Sequence, residues 1–170
     1  MFKACMAAVA VLVFTGYVHA NEAKAVIAPT SDKSLVSGQV TLTEENGGLR
    51  VVAALAHLTP GKHGLHIHEN GSCADTGKAA GGHFNPDKVM HGDMVHDGMG
   101  KAHPGDMGNV EADAEGNAAL NVFLPGVSLQ EGKYAVAGKA MIVHENQDDF
   151  SQPTGNAGGR VACGIIEVSQ

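Results

Sequence analysis

Along this chain, apolar and polar positions alternate in short runs and seldom recur every third or fourth residue. Period-two patterns bounded by Gly, Asn, Asp or Pro predict strands at about 24–28, 35–43, 49–56, 63–69, 108–113, 117–123, 135–143 and 161–168. The segments EENGG at 44–48 and DAEGN at 113–117 have hairpin chemistry, because Asn and Gly tolerate positive φ. Short strands at even spacing predict an antiparallel sandwich or barrel. Two stretches, 70–107 and 145–160, break the alternation and are rich in Gly, His, Asp, Asn and Pro. Irregular loops of that length in a compact domain commonly carry function.

The first twenty residues follow a different logic. Lys3 precedes an apolar run from about Ala4 to Phe14, and Val18-His19-Ala20 places small residues where an export peptidase cuts. Residues 1–20 therefore read as a signal peptide, with cleavage near Ala20, and 21–170 as one domain destined for the periplasm or secretion. The apolar core is too short for a comfortable membrane span, and no later segment approaches spanning length. Without Lys3, 10 basic residues face 18 acidic ones, so the mature net charge is −8. No basic stripe is available for nucleic acid. Cys5 leaves with the leader, and Cys73 and Cys163 remain as an even pair. In an oxidising compartment such a pair reads as one disulfide, with two buried free thiols as the alternative.

The candidate chemistry is histidine. In GLHIHENGSC, residues 64–73, strand alternation sends Leu65 and Ile67 to one face and His66 and His68 to the other, two imidazoles within reach of one ion. Taken alone, a His-x-His more often marks a polar, solvent-facing stripe on a half-buried strand. Five of the ten histidines fall at 66, 68, 83, 91 and 103, with Asp106 close behind. Three imidazoles and a carboxylate, His83, His91, His103 and Asp106, suit tetrahedral zinc. His66, His68 and His144, which ends a β-rich run, form an imidazole-rich set of the kind that suits copper.

Five blocks carry a family resemblance: GLHIHENGSC, GGHFNPDKVMHG, HPGDMGN, IVHENQDDF and GNAGGRVACGII, in that order. They resemble the signature blocks of the Cu,Zn superoxide dismutases, specifically the exported bacterial, periplasmic type. The resemblance implies an all-β fold, an eight-stranded antiparallel Greek-key β-barrel with long metal-binding and active-site loops. It implies one copper held by His66, His68, His83 and His144, and one zinc held by His83, His91, His103 and Asp106. His83 would bridge the two ions as an imidazolate, since two cations favour the deprotonated ring. Asp148 matches the carboxylate that ties a copper-ligand histidine to a zinc-ligand histidine. Arg160 matches the arginine beside the copper, and Cys73 with Cys163 the disulfide of the fold. His63 matches a non-ligand histidine with a hydrogen-bonding role, His57 is expected at the surface, and His96 competes with His91 for the zinc position.

The implied reaction is dismutation of superoxide to oxygen and hydrogen peroxide, with His83 and Arg160 as the catalytic side chains. Membrane and nucleic acid are not expected partners of the mature chain; a homodimer is compatible with it. The charged residues that eukaryotic members use to steer substrate have no match in the short 145–160 loop, so Arg160 would supply local positive charge, with Lys78 or Lys139 as other candidates. A non-catalytic metal carrier or structural barrel is the alternative, although such relatives usually lose copper ligands or the arginine. Zinc hydrolysis needs an open zinc position, which four protein ligands leave no room for.

Overall fold

A computed structural model describes residues 22–169. The expected signal peptide and its cleavage position lie outside the described residues. The strands are β1 (Glu22–Pro29), β2 (Ser37–Glu45), β3 (Gly48–Ala56), β4 (Gly61–His68), β5 (Asp106–Ala112), β6 (Ala118–Pro125), β7 (Ala140–His144), β8 (Arg160–Ile165) and β9 (Glu167–Val168). They follow the order β2-β3-β6-β5-β4-β7-β8-β1, and β1 pairs back onto β2, closing an eight-stranded antiparallel barrel. The two-residue β9 adds to β1 alone. Segments 57–60 and 126–139 pass over intervening strands, which gives the Greek-key connectivity. Among the described residues no helix is long and apolar enough to cross a membrane.

Alternation explains the barrel. Ala23, Ala25 and Ile27 of β1, Val40 and Leu42 of β2, and Leu49, Val51, Ala53 and Leu55 of β3 are buried, with more exposed residues between them. The inward set joins Leu65, Ile67, Met141 and Val143 in one core. Both hairpins form where the turn chemistry predicts them: Asn46 and Gly47 have φ of +48° and +76°, and Asp113 Oδ1 accepts from the backbone N–H of Glu115 and Asn117.

One predicted strand starts late. Residues 135–139, expected to open the strand 135–143, fold back as a loop, with Val136 and Ala137 N–H donating to Leu129 O. The apolar Val136 is buried by that loop rather than by a ladder. The predicted strand 161–168 divides at Ile166, whose N–H donates to Lys139 O.

On β4 and β7 both faces are buried, which period-two reasoning associates with a second layer of cover. Their inward face is the core; their outward face carries His66 and His68 opposite Ile142 and Ala140, with His144 at the end of β7. The loops 69–105 and 145–159 supply the cover. Two β-bulges border this face. In β5 the register slips between the pairs Gly64↔Asn109 and His66↔Asp106, and in β7–β8 between Val143↔Ala162 and His144↔Arg160. Each slip reverses the phase of alternation. Val110 and Ala112 face the core, yet Met107 does too, so Asp106 faces outward. Gly108, at φ +71°, makes the β5 slip possible. Likewise Ala162 faces the core, and Arg160 turns out toward His144.

Candidate metal centre

Seven histidines and two aspartates are buried in the described residues, and six of those histidines with both aspartates meet on the outward face of β4 and β7. Three groups have ligand atoms within 4.8 Å of one another: His66, His68, His83 and His144; His83, His91, His103 and Asp106; and His66, His91 and Asp148. These contain every metal ligand expected from the sequence, and His83 belongs to both of the first two.

The second group is built around Asp106. Nδ1 of His83, His91 and His103 stands 2.8, 2.7 and 3.1 Å from its carboxylate. Three ring nitrogens converging on one carboxylate form a pocket for a cation. Burial alone would raise the Asp106 pKa, but the hydrogen bonds from His103, His83 and His91 outweigh it and hold the carboxyl well below its usual range. For His91 burial acts downward, and the hydrogen bonds to Asp106 and Asp148 overcome it, raising the ring to about 9.

The first group has the opposite character. With Nδ1 of His83 directed to Asp106, its Nε2 is the nitrogen left for this group. His68 and His144 approach through their Nε2 atoms at 3.4 Å. Burial is the main cause that lowers His68 to about 2, His144 to about 3 and His83 to about 4, and neighbouring histidines add to it. These rings are neutral donors of lone pairs, as metal ligands must be. His66 supplies the most direct sign of a missing partner. Its Nε2 donates to Asp148 Oδ2 at 2.8 Å, whereas its Nδ1 is buried without any hydrogen-bond partner. A buried, unpaired nitrogen costs free energy unless something fills the site, and a cation among four imidazoles does so.

Asp148 joins the groups. Its Oδ1 accepts from His91 Nε2 at 2.9 Å while Oδ2 takes His66, so each ring is held through the nitrogen that its own cluster leaves free. Burial would raise the Asp148 pKa; the His66 and His91 hydrogen bonds reverse this and push the carboxyl well down. Gly155 passes directly over this bridge at φ +75°. A Cβ there would lie 1.8 Å from Asp148 Oδ1 and 2.6 Å from His91 Nε2, so only glycine fits.

Arg160 lies beside the first group, close enough that its charge helps depress His68 and His144. Its guanidinium donates to Gly77 O and Gly81 O at 2.6 Å each, and Thr30 Oγ1 donates to its backbone carbonyl at 2.5 Å. The Cys73–Cys163 disulfide links the loop carrying those carbonyls to β8.

The remaining histidines separate from the site. His63 Nδ1 donates to His144 O at 2.9 Å, the expected structural hydrogen bond. His57 is exposed, as expected. His96 is an exposed ring paired with Asp93, so His91 and not His96 joins the zinc-type group. Lys139 covers the Phe84 ring and donates to Glu69 O. Sequence reasoning left Asn109, Gln152 and Gly155 unassigned. Asn109 lies within a quoted block, but its partner is 39 residues away, and Gln152 carries no local signal at all.

Residues 36–166 match the family model described as copper/zinc superoxide dismutase. The extracellular superoxide dismutase [Cu-Zn] of Drosophila melanogaster is 40% identical over 147 residues, covering 81% of this chain and 79% of that protein. Its counterpart in Brugia pahangi is 36% identical over 149 residues, covering 82% and 73%. A solved structure, the crystal structure analysis of the clock protein EA4, superposes with a TM-score of 0.78 at 33% identity, over 92% of this chain and 100% of that one.

Proposed function

Because the chain belongs to the copper/zinc superoxide dismutase family, we propose that it converts superoxide to oxygen and hydrogen peroxide with copper at His66, His68, His83 and His144 and zinc at His83, His91, His103 and Asp106. The observation that carries this reading is the sharing of His83 between two buried ligand groups, one of which leaves His66 Nδ1 without a partner. The donors fit the ions: four neutral imidazoles suit copper, and three imidazoles with a carboxylate suit zinc. Bound copper supplies the one-electron couple that the reaction needs in both directions, and zinc supplies fixed charge without redox chemistry.

The chain's own residues do the rest. Asp106 fixes His83 through Nδ1, which leaves Nε2 as the atom that can take up a proton when it is not engaged as a ligand and pass it to the product. Asp148 keeps His66 and His91 in position. Arg160, locked by carbonyls of the disulfide-tethered loop, offers a fixed cation to a small anion approaching a protein whose mature net charge is −8.

The finer assignments belong to the same proposal. The leader pattern and the extracellular relatives support export with cleavage near Ala20. The resemblance of the five blocks to the exported bacterial type supports a periplasmic destination and protection of exported components. Exposed Val26, beside Ala28, Pro29 and Ile165 on the outer wall, is an apolar surface that supports a homodimer, which light scattering of the mature protein tests. The deciding experiment measures metal content and superoxide removal together. One copper and one zinc per chain with turnover supports the proposal; a single metal site, or full loading without turnover, refutes it.

A further inference from the structure

Two side-chain amides each grip the backbone of one member of the His91–Asp148 pair. Gln152 Oε1 accepts the His91 N–H at 3.0 Å, and its Nε2 donates to His91 O at 2.8 Å. Asn109 Oδ1 accepts the Asp148 N–H at 2.8 Å, and its Nδ2 donates to Asp148 O at 2.9 Å. Each planar amide thus satisfies both polar groups of one residue, as a neighbouring strand would.

The two grips run in opposite directions between elements. Gln152 reaches from the 145–159 loop to His91 in the 69–105 loop, and Asn109 reaches from β5 to Asp148 in the 145–159 loop. Around them the 145–159 loop closes on itself: Asp149 N–H donates to Gly155 O at 2.9 Å and Gly155 N–H to Ser151 O at 2.7 Å. The Asp148–Gly155 turn is therefore one small unit, fastened to the barrel by Asn109 and to the other loop by Gln152.

We infer that Gln152 and Asn109 are positioning residues that bracket the His91–Asp148–His66 bridge, with Gln152 coupling the seating of Asp148 to the position of the zinc-side loop. Loosening the zinc-side grip then loosens the carboxylate that orients the copper-side His66, although neither amide touches a ligand atom. The inference rests on the metal assignment above, and the test separates the two.

The test compares the mature parent with Gln152→Ala, Gln152→Glu and Asp148→Asn. In protein loaded with copper and zinc, Gln152→Ala should quicken zinc loss to a chelator about tenfold, the scale of two ordinary hydrogen bonds. Gln152→Glu keeps only the acceptor for the His91 N–H and should fall between Gln152→Ala and the parent. The copper(II) EPR spectrum of Gln152→Ala should move from the parent's toward that of Asp148→Asn, a signature that a general loss of stability would not produce. In metal-free protein, Gln152→Ala should speed hydrogen exchange at the Asp148 N–H, which Gln152 does not itself contact. Zinc loss within twofold of the parent, or an unmoved copper spectrum, overturns the inference. A parent that fails to load both metals refutes the metal assignment instead, and the exchange measurement then decides the bracket alone: unchanged exchange at Asp148 overturns it.

Discussion

Replacing Gly155 by alanine tests how tightly the covering loop is fitted to the Asp148 bridge. The added Cβ would sit 1.8 Å from Asp148 Oδ1, 2.4 Å from its Cγ and 2.6 Å from His91 Nε2, where ordinary contact begins at 3.4 Å. The carboxylate must retreat by about 1.5 Å, further than hydrogen bonds of 2.8 and 2.9 Å can stretch. Losing those buried, charge-assisted bonds costs about 3 kcal/mol, and placing alanine in the left-handed region costs about 1 kcal/mol more. Gly47 isolates the second contribution, since its φ of +76° matches the +75° of Gly155 while a Cβ there meets nothing within 4 Å. Urea unfolding of the metal-free proteins should place Gly47→Ala about 1 kcal/mol below the parent and Gly155→Ala about 4 kcal/mol below. In copper-loaded protein only Gly155→Ala should alter the copper(II) EPR spectrum. Equal losses from the two substitutions, or an unaltered spectrum in Gly155→Ala, would refute the close fit.

Arg160→Ile should retain both metals yet lower the second-order rate for superoxide about tenfold or more and flatten its dependence on ionic strength; Arg160→Lys should fall between, because an ammonium cannot reach the carbonyls of Gly77 and Gly81 with one planar fork. Parent kinetics in fully loaded Arg160→Ile would exclude an anion-guiding role. Metal-free protein should be most stable near neutral pH. His68, His83 and His144, lowered to about 2, 4 and 3, take up protons more readily unfolded, so their contribution is lost as pH falls below about 6.5. His91, raised to about 9, contributes fully below its unfolded value of about 6.5, and that share is lost as pH rises through about 9. Urea midpoints that rise toward pH 5 or toward pH 9.5 would contradict the respective assignment. Cys73 and Cys163 should resist alkylation until reduced, and Cys163→Ser should lower stability by about 2–5 kcal/mol; ready labelling of both thiols in folded, unreduced protein would refute the bond.

Most strands were legible because one face of each is core and the other is not, so Ala23, Ala25 and Ile27 announce β1 by alternation alone. The ligands were legible for a different reason: histidines crowd at 66, 68, 83, 91 and 103 with Asp106 close behind, and the family blocks place them residue by residue. Segment 135–139 misled because Val136 is buried by a loop, and burial without a ladder has the same apolar signature as a strand. The amide grips of Gln152 and Asn109 were invisible because each joins residues tens of positions apart, and nothing in either neighbourhood marks the partner.

The two bulges bear on how a strand can change length beside this face. Each absorbs one additional residue, so Asp106 and Asn109, three positions apart, lie on the same outward side, and Arg160 faces away from the side of Ala162, two positions on. Were either ladder to run on without its bulge, the additional residue would reverse the phase and aim a carboxylate or a guanidinium into the apolar interior. Deleting that residue instead restores plain alternation and leaves the side chain facing outward as before. The wall on which each charge stands is thus insulated from a one-codon change in length, and what such a change alters is the local twist and bend of the strand.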